Sequence, residues 1–240
     1  MAVTRTGRAS RPAEDIKMKT VLVTGGTVRI GHAIAERLRR DGWRVITSSH
    51  RAGRDPTPGA AAESVADILA DLSEPMGAEK LYAQALRFLN GNPPDALVNN
   101  AALFTGDEAV LKAVNLEAPK RLTMMMAGRG KGVGAVVNVL DASAGRPDTC
   151  ASAGYRETKE ELRAFTLSSA MMFAASLRVN GVAPGPVLAP TGVHEKAAAT
   201  LLGRRPTAED VAAAVSYLLS AESVTGVVIP VDAGQHLMQS

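Results

Sequence analysis

The sequence predicts an α/β fold: a single doubly wound domain with a seven-stranded parallel sheet and helices on both of its faces. Seven short apolar runs alternate along the chain with about six segments of helical periodicity. The apolar runs are continuous, which is typical of parallel strands that are buried on both sides. A length of 240 residues fits one domain of this kind, with right-handed crossovers between its strands.

The first strand and the first helix have the clearest sequence patterns. The strand is TVLVT, and the helix that follows places Ile30, Ile34 and Leu38 on one face. Gly42 is predicted to end this helix as the residue after its C-cap. The other predicted strands are WRVIT, VADIL, DALVNN, GAVVNVL, SLRVNGVAPG and TGVVIPVDAG.

Four more helices follow from the same periodicity. They are predicted in GAEKLYAQALRFLNG, in residues 107–127, in residues 152–174 and in TAEDVAAAVSYLLS. The last of these begins with Thr207 as N-cap and Asp210 three residues later, and the two side chains can form a capping box. Residues 1–19 are polar and basic without periodicity, and we interpret them as a flexible tail before a domain of residues 20–240.

The composition excludes several classes of protein. Hydrophobic residues make up 46% of the chain and charged residues 21%, which is typical of a folded globular protein. The 27 basic and 24 acidic residues nearly balance, so no nucleic-acid partner is indicated. No apolar run reaches the ~18 residues of a membrane span, so no membrane partner is expected.

Cysteine and histidine usage bears on metals and on compartment. The single cysteine, Cys150, excludes an internal disulfide and a cysteine-based zinc site, and it favours a cytoplasmic location. No metal is expected either, since metal-ligand spacing is missing from the four histidines His32, His50, His194 and His236.

A glycine-rich turn joins the first strand to the first helix. It reads Thr24-Gly25-Gly26-Thr27-Val28-Arg29-Ile30-Gly31. Gly25 permits a sharp turn, and Gly31 permits a close approach of helix and strand. The N–H groups and the positive dipole end of the helix then face a pyrophosphate. This placement predicts a dinucleotide site of the Rossmann type, with Gly25, Arg29, Ile30 and Gly31 as cofactor-binding residues.

The end of the second strand indicates which dinucleotide binds. An NAD site has a carboxylate there for the ribose 2′-OH, but the chain reads Thr47-Ser48-Ser49-His50-Arg51, with no acid before Asp55. Arg51, together with Arg29, suits a 2′-phosphate, so NADP(H) is the expected cofactor. The alternative is that Arg51 and Arg54 are solvated loop charges. Asp71 and Leu72, after the third strand, are expected near the adenine.

Tyr155 and Lys159 lie four residues apart on the predicted helix of residues 152–174. They therefore share one face of that helix. An ammonium beside a phenol stabilises the phenolate, so we expect the pKa of Tyr155 to fall from ~10 toward neutrality. Such a tyrosine is a usable general acid.

Together these motifs resemble the short-chain dehydrogenase/reductase family along residues 20–237. The matching pieces occur in the family's order: Thr24-Gly25…Gly31, Asp71-Leu72, Asn99-Asn100-Ala101, Asn115, Tyr155…Lys159, Pro184-Gly185 and Val231-Asp232-Ala233-Gly234. The resemblance implies that Tyr155 donates a proton, that Lys159 also binds the nicotinamide ribose, and that Asn115 holds a water in the proton relay. It implies further cofactor contacts from Asn99, Ala101, Pro184, Gly185 and Val187. It also implies a homodimer or a homotetramer.

Three departures from the common family pattern are similar to the pteridine reductases and dihydromonapterin reductases. Arg29 stands where the family usually has glycine, Asp141 stands at the position of the catalytic serine, and His50-Arg51 follows the second strand. Asp141 is therefore expected beside Tyr155. It lies 14 residues before Tyr155, one more than the family's usual spacing, and the alternative is that Ser143 takes this place.

Phe104 follows the Asn99-Asn100-Ala101 segment where the pteridine reductases have a phenylalanine that stacks on the pterin. An offset aromatic stack is a sound way to hold a flat heterocycle. The sequence thus favours an NADPH-dependent reductase of a pterin or a similar C=N heterocycle, with Phe104 as the substrate residue. The alternative for Phe104 is a place in the core or in an interface.

Two other functions stay open at this stage. One is an NADPH-dependent carbonyl reductase, and the other is a catalytically silent NADP-binding protein. The second is suggested by Asp141 and by a shortened substrate side, because Asn115 follows Asn99 by only 16 residues and the segment PGPVLAPTGVHEKAAATLLGRR is also short.

Overall fold

The computed structural model describes residues 18–50, 65–128, 132–144, 152–187 and 200–238. Its strands are β1 (Thr20–Thr24), β2 (Arg44–Ser49), β3 (Val65–Leu69), β4 (Ala96–Asn99), β5 (Gly134–Val139), β6 (Leu177–Pro184) and β7 (Val228–Val231). All pairs are parallel, and the strand order is β3-β2-β1-β4-β5-β6-β7. The predicted seven-stranded doubly wound sheet is confirmed.

Helices cover both faces of the sheet. They are α1 (Arg29–Arg40), α2 (Gly77–Phe88), α3 (Glu108–Lys112), α4 (Ala118–Ala127), α5 (Ala153–Met172) and α6 (Ala208–Ser220). Apolar side chains of α1 and α6 form one core with one face of the sheet. Those of α2 and α4 form the second core on the other face, where α5 also packs. The apolar character of both strand faces follows from this two-sided burial.

The chain reverses its direction of winding between β1 and β4, which are neighbours in the sheet. In a doubly wound sheet the crevice at this switch point, at the carboxyl ends of the strands, binds the ligand. The loops that follow β1, β4 and β5 meet there. They carry the glycine-rich turn, the Asn-Asn-Ala segment and Asp141.

The predicted ends of α1 and α6 are confirmed. Gly42 follows the C-cap of α1 with a φ of +86°, a left-handed conformation that glycine adopts at low cost. Thr207 and Asp210 form the expected capping box of α6. Helix α5 is slightly shorter than the predicted 152–174, because Ser152 caps it by accepting a hydrogen bond from the backbone of Tyr155.

The single helix predicted over residues 107–127 is wrong in its interior. The chain forms α3, then a π-helical turn over Ala113–Glu117, then α4. Asn115 lies in the middle of that turn and is fully buried. Its side chain bonds to the backbone of Leu103, a long-range contact that helical periodicity does not report. Such single π-turns are often found at functional sites.

A buried chain of polar side chains crosses the middle of the fold below this crevice. Asn99 on β4 donates to Asn138 on β5 at 2.8 Å, and Asn138 donates to Thr166 on α5 at 2.9 Å. Thr166 in turn donates to the carbonyl of Leu162 at 2.7 Å. A buried network of this kind stabilises the fold only while its members are paired.

Two negative findings apply to the described ranges. No helix there combines the length and the apolar character that crossing a membrane requires. Nor do the described residues bring together three or more side chains from His, Cys, Asp and Glu in a group that could hold a metal ion.

We expect Thr166→Val to lower the free energy of unfolding by about 1–3 kcal/mol, because it leaves the buried amide of Asn138 without its acceptor. Valine has nearly the same shape, so packing changes little. Urea unfolding measures the effect. The control is Thr105→Val at an exposed position, which should change stability by less than about 0.5 kcal/mol. Equal stabilities of the two variants would show that these buried polar side chains do not stabilise the fold.

Candidate active site

The glycine-rich turn is closely packed on its inner side. Gly25 has a φ of +62°. A Cβ on Gly31 would lie 2.0 Å from the carbonyl oxygen of Gly25 and 2.5 Å from Nδ2 of Asn100. Arg29 also has a left-handed backbone, with a φ of +53°, which explains why glycine is common at this position of the turn. The backbone geometry of the turn thus requires Gly25 and Gly31, whereas Arg29 occupies a left-handed position that would suit glycine better.

The turn is fastened to the end of β4. The amide of Asn100 donates to the carbonyl oxygens of Thr24 and Gly25 at 3.0 and 3.1 Å. The hydroxyl of Thr24 accepts from the backbone N–H groups of Asn100 and Ala101, both at 3.0 Å. These bonds join the carboxyl ends of β1 and β4 and place Ala101 directly beside Gly25.

The outer side of the turn has the properties of an anion site. The N-cap of α1 is Val28, which provides no side-chain cap, and no acidic residue lies in the first turn. The first N–H groups of a helix and its positive dipole end favour an anion such as a pyrophosphate. Val28 and Arg29 are exposed at this end. The chain therefore fits the diphosphate of a dinucleotide at this position.

The predicted adenosine side is only partly described. His50 is exposed after β2, and it lies close enough to Asp71 to help lower the pKa of that carboxyl, although hydrogen bonds from Ser73 are the larger cause. Leu72 is buried in the second core. Arg51 lies outside the described residues, so its predicted contact with a 2′-phosphate stays a prediction.

Asn99 is oriented away from the crevice. Its side chain is 2% exposed and bonds to Asn138 in the core. The same amide lies near the carbonyl of Pro119 and the hydroxyl of Thr123 on α4. A contact of Asn99 with the cofactor would therefore involve its backbone, and its place beside the cofactor stays a prediction. The neighbouring Asn100 is the residue whose side chain reaches the glycine-rich turn.

Tyr155 and Asp141 are brought together at the carboxyl end of β5. The hydroxyl of Tyr155 donates to Oδ2 of Asp141 at 2.8 Å. Tyr155 lies in the first turn of α5 and is 7% exposed. Of the two candidates for this place, Asp141 therefore contacts the phenol, whereas Ser143 contacts Asp141.

Phe104 covers the phenol from the outside. The ring centroids of Phe104 and Tyr155 are 4.9 Å apart, and the ring planes are inclined by 58°. Phe104 is 46% exposed, so one part of its ring packs on Tyr155 and the rest faces the opening. This exposure excludes a core position for Phe104, whereas a place in an interface stays an alternative.

Lys159 lies one turn further along α5 and is almost fully buried. Its ammonium donates to the carbonyl oxygen of Val139 at 2.9 Å and lies 5.9 Å from the centre of the Tyr155 ring. This bond uses one of three N–H donors. A buried ammonium with donors to spare suits the hydroxyls of a ribose.

The expected fall in the pKa of Tyr155 is wrong for this protein. Burial is the main cause that raises the pKa of Tyr155 well above its ordinary value, and the carboxylate of Asp141 raises it further. Burial lowers the pKa of Lys159 to about 8, although Asp141 acts in the opposite direction. The phenol therefore stays protonated at neutral pH, as a proton donor requires.

Asn115 connects the segment before Phe104 with the first turn of α5, which carries Tyr155. Its side-chain oxygen accepts from the backbone N–H of Leu103 at 2.8 Å, and its amide donates to the carbonyl of Leu103 at 2.9 Å. The amide also donates to Thr158 at 3.3 Å, whose hydroxyl donates to the carbonyl of Tyr155 at 2.7 Å. Both amide protons are thus used within the protein, and the predicted role in a water relay stays a prediction.

Residues 184–187 form the wall beside Asp141. The carbonyl of Pro184 accepts from the backbone of Ala142 at 2.9 Å. A Cβ on Gly185 would lie 2.6 Å from Cβ of Asp232, so this loop is pressed against the end of β7. Val187 is buried against the first core. The structure therefore places all three predicted residues of this loop at the carboxyl end of the sheet.

The sequence analysis did not predict the hydrogen bonds that three polar residues make in the site. They are Thr24, which links the ends of β1 and β4, Thr158, which links Asn115 to Tyr155, and Ser143, which bonds to Asp141. Only the contact of Ser143 could have been predicted from local sequence, because in an Asp-x-Ser pattern the serine often bonds back to the carboxylate.

Because Lys159 is buried, we expect the free energy of unfolding to depend on pH. Its pKa falls from 10.5 to about 8 in the folded protein, so the unfolded chain binds more protons between these values and stability rises with pH there. We expect the wild type to gain about 3 kcal/mol relative to Lys159→Met as the pH rises from 7.5 to 10.5, measured by urea unfolding. Lys80→Met at an exposed position is the control and should show no such trend. A pH-independent difference for Lys159→Met would contradict the shift.

Comparison with known proteins shows the family and the fold of this chain. The family model described as enoyl-(acyl carrier protein) reductase matches residues 27–236. A crystal structure of FolM alternative dihydrofolate reductase 1 from Brucella canis, complexed with NADP, superposes with a TM-score of 0.79. It has 30% sequence identity, over 92% of this chain and 96% of that one.

Curated relatives span almost the same length. The granaticin polyketide synthase putative ketoacyl reductase 2 of Streptomyces violaceoruber is 33% identical over 90% of this chain and 96% of its own. Pteridine reductase 1 of Leishmania tarentolae is 29% identical over 91% of this chain and 96% of its own. The chain therefore belongs to the short-chain dehydrogenase/reductase family of oxidoreductases, in the neighbourhood of the pteridine reductases.

Proposed function

We propose that this protein is an NADPH-dependent reductase of a pterin or of a similar flat heterocycle with a C=N bond. The observation that carries the proposal is the group formed by Phe104, Tyr155 and Asp141, in which a half-exposed aromatic ring packs on a phenol that is bonded to a carboxylate. The NADP-bound FolM structure and the pteridine reductase relative support the same function.

The cofactor would be held by residues that meet around the switch point. The N-terminus of α1 and the turn from Gly25 to Gly31 suit its diphosphate, and Lys159 suits the nicotinamide ribose. Asp71, Leu72 and Ala101 would lie on the adenosine side, and residues 184–187 beside the nicotinamide. When bound, the reduced cofactor supplies a hydride.

The protein's own residues would complete the reduction by delivering a proton. Tyr155 is protonated, and its hydroxyl is the donor that a nitrogen of the substrate ring would meet as the carbon of the C=N bond becomes saturated. In the structure this hydroxyl donates its single proton to Asp141 at 2.8 Å, so the proton would turn to the substrate nitrogen when a protonated Asp141 donates to the phenol oxygen in its place. Lys159 places a positive charge nearby, which offsets the negative charge left on the pair after the proton is given up.

Phe104 would select flat substrates. Its exposed part can stack on one face of a heterocycle, and such aromatic contacts contribute about 0.5–1.5 kcal/mol beyond the buried area. Because Phe104 also touches Tyr155, a heterocycle on this ring would lie within reach of the phenol.

A carbonyl reductase is the second candidate. The granaticin ketoacyl reductase relative favours it, and Tyr155 and Lys159 would protonate a carbonyl oxygen equally well. The two functions differ in their need for Phe104, since a small ketone gains little from an aromatic platform.

For the substrate class, we expect Phe104→Ala to lower kcat/KM for a dihydropterin about tenfold or more. Reduction of a small diketone should change by less than about twofold. Phe104→Tyr keeps the ring and should retain most pterin activity, whereas Tyr155→Phe should abolish every activity. NADPH oxidation in a spectrophotometer measures all of these. Pterin turnover that survives Phe104→Ala, or that the wild type never shows, would reject the pterin proposal. Turnover of neither pterins nor carbonyls would favour a silent NADP-binding protein.

For the cofactor, we expect NADPH to bind about tenfold or more tightly than NADH by calorimetric titration, because a guanidinium binds a phosphate by charge-assisted hydrogen bonds. Arg29→Gly keeps the left-handed backbone and removes the charge, so it should weaken NADPH binding and leave NADH binding unchanged. Arg87→Ala, at an exposed position on α2, is the charge-matched control. Tighter binding of NADH by the wild type would overturn the choice of NADP(H).

For the assembly, we propose a homodimer or a homotetramer that uses the outer sides of α4 and α5. Large apolar side chains are exposed on these helices, namely Met124, Leu167, Met171 and Met172. Light scattering of the purified protein should give two or four times the chain mass of 25.0 kDa. Met171→Glu should reduce that mass, since a charge in an apolar contact is costly, and an unchanged oligomer would place the interface elsewhere.

A further inference from the structure

Ser143 grips one oxygen of Asp141. Its backbone N–H donates to Oδ1 of Asp141 at 2.7 Å and its hydroxyl donates to the same oxygen at 2.6 Å. The other carboxylate oxygen, Oδ2, accepts from the hydroxyl of Tyr155 at 2.8 Å. The two oxygens of one carboxylate therefore have separate partners, with Ser143 on one side and the phenol on the other.

We propose that Ser143 is a positioning residue of the active site, which holds the carboxylate of Asp141 so that Oδ2 alone faces the phenol of Tyr155. This inference rests on the proposed reductase function for its kinetic consequence, but its structural part is independent of any substrate. The sequence offered Ser143 only as the alternative to Asp141 beside Tyr155, whereas this proposal gives it a different task, which is to hold Asp141.

The bonds of Ser143 fix where a proton can sit on Asp141. A backbone N–H can only donate, so Oδ1 is held as an acceptor. A proton taken up by Asp141 therefore lies on Oδ2, between the carboxylate and the phenol. Exchange of a proton between Asp141 and Tyr155 then needs no rotation of either side chain.

We call the two bonds from Ser143 to Asp141 the clamp. The backbone that carries both residues is hydrogen-bonded to strand β6. Leu140 donates to the carbonyl of Val182 at 2.8 Å, and Ala142 donates to the carbonyl of Pro184 at 2.9 Å. Ala144 is buried. Asp141 and Ser143 thus project from a segment that β6 holds in place, so the backbone positions of both residues are fixed relative to the sheet.

The same three-residue pattern occurs a second time in the chain, after β3. There the backbone and the hydroxyl of Ser73 donate to Oδ1 of Asp71 at 2.9 and 2.6 Å. These two bonds are the main causes that lower the pKa of Asp71. At that position Ser73 therefore stabilises the charged form of Asp71.

A test without substrate uses the tyrosines as reporters. The chain contains three tyrosines, so labelling with ¹³Cζ-tyrosine gives three NMR resonances, and Tyr155→Phe identifies the one from Tyr155. We expect Ser143→Ala to shift that resonance, because the carboxylate loses the 2.6 Å bond from the hydroxyl and is then held on that side only by the backbone N–H of residue 143. Ser143→Thr keeps both donors and should restore the position. Ser223→Ala, at an exposed position after α6, should move none of the three.

The kinetic test separates positioning from folding. For reduction of a dihydropterin by NADPH, we expect Ser143→Ala to lower kcat about tenfold, the range of one hydrogen bond to a charged group. KM and the affinity for NADPH should stay within about twofold. Ser143→Thr should recover most of kcat, and the thermal unfolding temperature of each variant shows whether the fold is intact.

The outcomes distinguish this inference from the proposed function. An unmoved Tyr155 resonance in a folded Ser143→Ala variant overturns the clamp, whatever the enzyme reduces. A moved resonance with unchanged kcat also overturns it as a positioning residue. A moved resonance that Ser143→Thr restores, in a protein that turns over no pterin, supports the clamp and rejects the pterin substrate instead.

Discussion

The register of helix α5 against the sheet is the constraint on which the rest of the site depends. Three of its side chains make polar bonds to the core: Thr158 to Asn115, Lys159 to the carbonyl of Val139, and Thr166 to Asn138. A helix held only by apolar contacts tolerates small shifts, whereas buried polar groups lose their partners if it slides. Tyr155 precedes these residues on the same helix, so its 2.8 Å contact with Asp141 follows from their placement.

Charge is arranged around Tyr155 in a way that the Tyr-x-x-x-Lys spacing alone does not show. The spacing correctly puts Tyr155 and Lys159 on one side of α5, but the ammonium is turned toward the carbonyl of Val139. The nearest charged partner of the phenol is the carboxylate of Asp141. Burial and this carboxylate raise the pKa of Tyr155, so the sign of the shift depended on a contact between residues 14 positions apart. A protonated phenol beside a carboxylate fits a proton donor in a reduction.

The sequence predicted the sheet and the ends of α1 and α6, because these depend on local periodicity and on capping residues. The approach of Asp141 to Tyr155 was expected from the resemblance to the pteridine reductases, with which the position of Asn138 agrees. It did not predict the π-helical turn over Ala113–Glu117 or the inward direction of Asn99. Both are decided by contacts across the fold: Asn115 with Leu103, and Asn99 with Asn138. Helical periodicity reports which face is apolar, and it says nothing of a buried amide that requires backbone partners elsewhere.

Asn115 connects the proposed substrate residue with the proposed proton donor. It holds both backbone groups of Leu103, the residue before Phe104, and through Thr158 it is bonded to the carbonyl of Tyr155. The two rings whose centroids lie 4.9 Å apart are therefore supported by one buried amide. The π-helical turn sets that amide at the required depth, since Asn115 lies at its centre. Recognition of a flat ring and delivery of a proton to it would then share a single rigid support, so a change at Asn115 would disturb both together, whereas changes at Phe104 and at Tyr155 act separately.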